Sequence, residues 1–242
     1  MKTLGIIGGL GPMATAMFLR RIVEMTDAKT DQEHLCAIIF NRPDVPDRTA
    51  CILDPTKPSP VPAITKTAQT LARLGADYLA VPCVTSHAFF GEIAKGLPIP
   101  LINMVTATAE SLKAAGMKKT GIMATTGTVQ SALFQQALLS EGIAPMAPDS
   151  DIQTLVMELI YHDIKAGKPA DMQKFARVSQ SLFDGGCDSI ILGCTELSVI
   201  HQQEQLGAGF IDALDVLAQR CIQLCEKPLK PAFEQLIVRH MS

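Results

Sequence analysis

The feature that most restricts what this chain can fold into is an internal repeat: GADYLAVPCVTSH from Gly75 aligns without a gap on GCDSIILGCTELS from Gly186. Gly75 pairs with Gly186, Asp77 with Asp188, and Cys83 with Cys194. Each block reads as a helix-ending glycine, a short buried strand, then a cysteine with a hydroxyl residue close behind. Upstream, GIIGG from Gly5 is similar to GIMAT from Gly121. Two halves of similar plan are therefore expected, the first over residues 1–103 and the second over 104–211, with the tail 212–242 packing back on the first.

Short apolar runs that suit buried parallel strands recur at 4–8, 35–40, 78–82, 120–124 and 189–193. Amphipathic stretches separate them, among them Thr15 to Met25, Ile64 to Leu74, Val105 to Ala115, Gln130 to Ser140, Ile152 to Lys165 and Met172 to Phe183. Strand followed by helix, several times over, predicts an α/β fold of two parallel-sheet halves related by pseudo-twofold symmetry. Ligands in such folds sit beyond the carboxyl ends of the strands, so the site is expected in the cleft between the halves. The proline-rich stretch from Pro43 to Pro62 reads as a long functional loop.

A formal net charge of −3 gives no basic surplus to hold nucleic acid or an anionic membrane. The opening apolar run LGIIGG is too short for a membrane span and lacks the form of a secretory signal, so a cytoplasmic protein is expected. Seven cysteines, an odd number, argue against a disulfide framework.

If equivalent strand ends face one cleft, Cys83 and Cys194 flank one small ligand. Inverting a stereocentre that bears a weakly acidic C–H needs a base on one face and an acid on the other. A thiolate and a thiol meet that need, because free cysteine titrates near 8.5 and its surroundings move that value by units. The plain alternative is that reduced cysteines only fill cores; Cys36, Cys51, Cys187, Cys221 and Cys225 are read that way. No Cys-x-x-Cys or His-x-x-x-His pair suggests a metal. His87, four residues after Cys83, reads as a capping or hydrogen-bonded residue, with contact to the site as the sharper reading.

With GIIGGLGPMAT (5–15), RPDVPDRT (42–49), PCVTSH (82–87), GIMATTGT (121–128), IKAG (164–167) and GCTEL (193–197), the sequence resembles the pyridoxal-independent aspartate/glutamate racemase family, most of all aspartate racemase, over essentially its whole length. The resemblance implies a cofactor-independent amino-acid racemase in which Cys83 and Cys194 are the acid–base pair, with no metal or nucleotide. Arg48 and Lys165 correspond to cationic positions that hold substrate carboxylates, for which Arg is suited through paired hydrogen bonds. Their plain readings are a loop arginine and a helix-end lysine. Thr85 and Thr195 are expected at helix starts, as substrate contacts or caps, and Glu196 beside the second thiol as a group that tunes it or caps a helix. Thr125, Thr126 and Thr128 form a hydroxyl-rich turn that either holds a carboxylate or only shapes the chain.

Val84 is a departure, because the family commonly has asparagine directly after the first cysteine. An amide there can bond polar substrate groups and valine cannot. The family also implies a homodimer. Two other functions stay open at this level: a lyase or isomerase of the same fold using one thiol, such as a decarboxylase or maleate-isomerase type, and a small-ligand binder in which the thiols are incidental.

Overall fold

The computed structural model describes residues 1–204 and 206–240. The chain divides into two compact units, one of Met1–Met104 with Asp215–Glu234, the other of Val105–Leu214 with the tail from Gln235.

In the first unit β1 (Thr3–Gly8) lies between β2 (Cys36–Asn41) and β3 (Tyr78–Ala80), all parallel. In the second, β4 (Lys119–Ala124), β5 (Ala144–Met146), β6 (Ser189–Gly193) and β7 (Phe210–Asp212) form a parallel sheet of order β5-β4-β6-β7. Each unit opens the same way. The chain leaves its first strand, adds the next on one side, then crosses to the other side for the strand that leads to a cysteine. The order therefore reverses between β1 and β3, and again between β4 and β6, and such switch points leave a crevice at the carboxyl ends of the strands.

The inner strands β1, β4 and β6 are buried along nearly their whole length, because helices pack over them, whereas β2, expected from its apolar run to be buried, is an edge strand largely open to solvent. Ile64, Ala68 and Leu71, at helical spacing on Val61–Arg73, enter the core of the first sheet with Ile7, Leu79 and Val81. Phe175, Val178 and Leu182 on Met172–Asp184 do the same in the second, with Met123, Ile190 and Leu192. Glycine in the first strand of each unit permits this closeness: a Cβ on Gly5 would lie 2.8 Å from Leu79 and 3.1 Å from Leu71, and one on Gly121 would lie 3.0 Å from Leu182.

The repeated residues have a structural purpose as well. Gly75 and Gly186 turn the chain at φ +96° and +83°, a region that side chains disfavour. The aspartates that follow brace the start of the neighbouring strand. Asp77 accepts from the Thr3 amide at 2.8 Å and donates its own amide to the Thr3 carbonyl at 2.8 Å. Asp188 accepts from the Lys118 amide at 2.8 Å, and its amide donates to the Lys119 carbonyl at 2.9 Å.

Some expectations differ from what is observed. The three-residue strands β5 and β7 carry too little apolar sequence to stand out in the chain. Within the proline-rich stretch lies a short helix, Arg48–Leu53, capped by Asp47, whose carboxylate accepts from the Ala50 amide at 2.7 Å. The run expected as one helix from Ile152 is α-helical over Ser150–Glu158 and π-helical over Leu159–Ile164. The tail also divides. Asp215 stays with the first unit through a two-pronged ion pair to Arg21, at 2.6 and 2.7 Å. Residues 212–214 belong to the second unit, Asp212 pairing with Leu192 at the end of β7. Residues 235–240 join it as well instead of the first, because the Gly209 amide donates to Val238, the His240 amide donates to Asp188, and the His240 ring stacks on Phe183 at 3.8 Å.

Candidate active site

In the first unit, β1 ends in the turn Gly9 to Gly11, held by Thr15, whose hydroxyl accepts from the Gly9 amide at 2.9 Å. Arg48, the first residue of the short helix beyond β2, reaches this turn. Its guanidinium donates to the carbonyls of Pro46 at 3.1 Å and Leu10 at 3.4 Å, and its Nε is buried without a hydrogen-bond partner. No acidic side chain among the described residues pairs with it. A cation with unused donor capacity beside the carboxyl end of β1 is suited to an arriving carboxylate.

Cys83 follows β3 and enters a 3-10 turn, Val84–Phe89, in which Cys83, Val84, Thr85, Ser86 and His87 are all buried. The Cys83 carbonyl is the anchor. It accepts from the Ser86 hydroxyl at 2.6 Å and from Nδ1 of His87 at 3.0 Å. Nε2 of His87 accepts from the Met104 amide at 3.2 Å, so the proton belongs on Nδ1 and the ring is neutral. Burial holds the His87 pKa below its ordinary 6.5. His87, stacked on Phe90, thus fixes the backbone beside the thiol and ties it to Met104.

In the second unit, β4 ends in the threonine turn. Thr125 caps the short helix Thr126–Gln130 and its hydroxyl meets that of Thr128 at 3.1 Å. Gln153 donates to the Ala124 carbonyl at 2.9 Å and to the Thr126 hydroxyl at 3.3 Å, so these hydroxyls are part of a built turn.

Cys194 follows β6 directly, and a helix begins at Thr195. Its thiol donates to Oε2 of Glu196 at 2.8 Å, and the Thr195 hydroxyl donates to the same oxygen at 3.2 Å. The ammonium of Lys165 lies 3.7 Å from Oε1 and 4.3 Å from the centre of the Tyr161 ring. Burial, and next the Glu196 charge, raise the Cys194 pKa well above the ordinary thiol value, so this thiol keeps its proton at neutral pH.

Of the residues singled out in the sequence, Cys194, Thr195, Glu196 and Lys165 form one connected cluster, while Arg48, Cys83, Val84 and Thr85 belong to the first unit. Lys165 does more than end a helix, since its charge turns toward Glu196. Tyr161 escaped the sequence reading, although its place four residues before Lys165 makes it a helical neighbour of that lysine. Among the described residues, no group of three or more His, Cys, Asp or Glu side chains is placed to hold a metal ion.

The model of the Asp/Glu/hydantoin racemase family matches residues 7–221. An aspartate racemase from Picrophilus torridus has a solved structure that superposes with a TM-score of 0.83 at 31% identity, covering 98% of this chain and 100% of that one. The broad specificity amino-acid racemase RacX of Bacillus subtilis is 27% identical over 228 residues, 90% of this chain and 96% of the relative. An aspartate racemase homologue from Pyrococcus horikoshii, 21% identical with a TM-score of 0.78 over 93% of this chain and 100% of that one, shares the fold. With the same α/β plan in both units and a match spanning both cysteines, the chain belongs to the Asp/Glu/hydantoin racemase family.

Proposed function

We propose that this amino-acid racemase inverts aspartate, or else glutamate, without a cofactor, by moving the α-proton between Cys83 and Cys194. The observation that carries the reading is that each sheet sets one cysteine beyond the carboxyl end of the strand at its switch point, where a ligand is held in open α/β sheets. Cys194, kept as a thiol, is the donor in one direction; Cys83 then takes the α-proton as thiolate, and the substrate leaves inverted with the two protonation states exchanged. The reverse reaction, or exchange with water, resets the pair. Arg48 and Lys165 are the cations for the substrate's carboxylates, and Thr85 and Thr195 supply hydroxyls nearby.

Val84 is buried in the turn after Cys83 and offers no hydrogen bond to a substrate. A less exacting choice of amino acid fits that apolar position, and RacX, with its broad specificity, is a relative of this chain. Seven unpaired cysteines suit a reducing cytoplasm, and a homodimer is the expected assembly. No helix among the described residues is long and apolar enough to cross a membrane.

The test is proton NMR in deuterated water with purified protein and single enantiomers of aspartate, glutamate and neutral amino acids. Loss of the α-proton signal, together with growth of the antipode followed by chiral chromatography of the same samples, is expected for aspartate or glutamate. Exchange without inversion, or decarboxylation, would point to one-thiol chemistry.

A further inference from the structure

We propose that Tyr161 is a positioning residue for the Cys194 half of the site: its ring face holds the Lys165 ammonium against Glu196 and so sets the charge balance around the thiol. This rests on the reading of Cys194 as one of the two acid–base groups. The geometry is a chain of three contacts. The Tyr161 ring meets Lys165 at 4.3 Å, Lys165 meets Oε1 of Glu196 at 3.7 Å, and Oε2 of the same carboxylate accepts from the Cys194 thiol at 2.8 Å.

Lysine is a point charge on a flexible four-carbon stem, and the Lys165 side chain is 42% exposed. An exposed ion pair alone restrains such a side chain weakly. The ring supplies a second attraction from another direction, acting through its face, for which the phenol hydroxyl is not needed. The backbone also favours this placement. Tyr161 lies within the π-helical segment Leu159–Ile164, and the Lys165 amide donates to the Ile160 carbonyl at 3.0 Å, five residues back. The wider turn re-aims the side chains that follow it, and single π turns occur often at functional sites. The charged groups acting on Cys194 are Glu196, from the helix that follows it, and Lys165, from the end of the π segment. They oppose each other. Glu196 raises the thiol's proton affinity and Lys165 lowers it, so displacement of Lys165 strengthens the thiol form.

The experiment follows alkylation of Cys194 by iodoacetamide against pH in a Cys83→Ser background, reading the Cys194 peptide by mass spectrometry. Tyr161→Leu and Lys165→Met should each move the alkylation midpoint to higher pH, and the double variant should move it no further than Lys165→Met alone. Tyr161→Phe, which keeps the ring, should react like the parent. Tyr161→Met, which keeps the bulk, serves if the leucine variant folds poorly and should behave as Tyr161→Leu does. A parental midpoint in the leucine or methionine variant, or shifts that add fully in the double variant, would overturn the proposal. Alkylation needs no turnover, so absence of racemisation in the parent enzyme would count against the two-cysteine mechanism and leave this test readable.

Discussion

The thiol of Cys194 and the carboxylate of Glu196 form a donor–acceptor pair at 2.8 Å, at the point where β6 gives way to a helix. Burial is the larger cause of the raised thiol pKa, and the carboxylate adds to it. Glu196→Gln should therefore let the thiolate form at lower pH, though still above the range of an exposed cysteine. The rate of Cys194 alkylation against pH, with the rising limb of the racemisation profile, checks this.

Cys83→Ser and Cys194→Ser should each lower racemisation by roughly 10²–10⁴-fold, the usual scale of a general acid or base. The double variant should be little worse than either single one, because in the proposed mechanism the two groups act as a unit. Initial rates on both enantiomers decide it, and a single variant retaining most of the parent rate would remove the two-base mechanism.

Arg48→Ala should lower kcat/KM for aspartate by about 2–4 kcal/mol, mostly through KM, with a smaller loss for an amino acid whose side chain is neutral. Its three hydrogen bonds to carbonyls are long, at 3.1–3.4 Å, so the melting temperature should fall only slightly. Steady-state kinetics beside a thermal melt separate the two effects.

His87 is neutral and buried in the folded protein, whereas in the unfolded chain it protonates near its ordinary 6.5. Below that pH the unfolded state binds the extra proton, so stability present above 6.5 is lost as the pH falls. The loss from this group should reach up to about 2 kcal/mol by pH 5. Urea unfolding at pH 7.5 and 5.0 should show it. In His87→Gln the protein should be weaker at pH 7.5 and the drop between the two pH values smaller.

Much of the plan was legible in the chain because two of its signals are strong: buried parallel strands are short apolar runs, and duplication aligned Cys83 with Cys194. What could not be read depended on contacts remote in sequence. The split of the tail between the units depends on Val238 and His240 finding Gly209 and Asp188. Tyr161 gains its meaning only once Lys165 is seen over its ring and against Glu196, a partner remote in sequence, and no apolar periodicity announces the π turn between them. Adjacency to the thiol points to Glu196. Its hydrogen bond to the thiol could not be inferred, since a carboxylate in the first turn of a helix serves equally well as a cap.

Asp77 and Asp188 brace the amino ends of the sheets, while Cys83 and Cys194 stand beyond the carboxyl ends, with a buried strand between. The two halves carry the same glycine and aspartate at the bracing end. Beyond the cysteines they differ, Val84-Thr85-Ser86-His87 in one and Thr195-Glu196-Leu197-Ser198 in the other. Under the proposed function, architecture and recognition are thus lodged at opposite ends of the same strands. On that reading the residues after each thiol could be exchanged to change the amino acids accepted, while the braces at the other end of the strands stay in place.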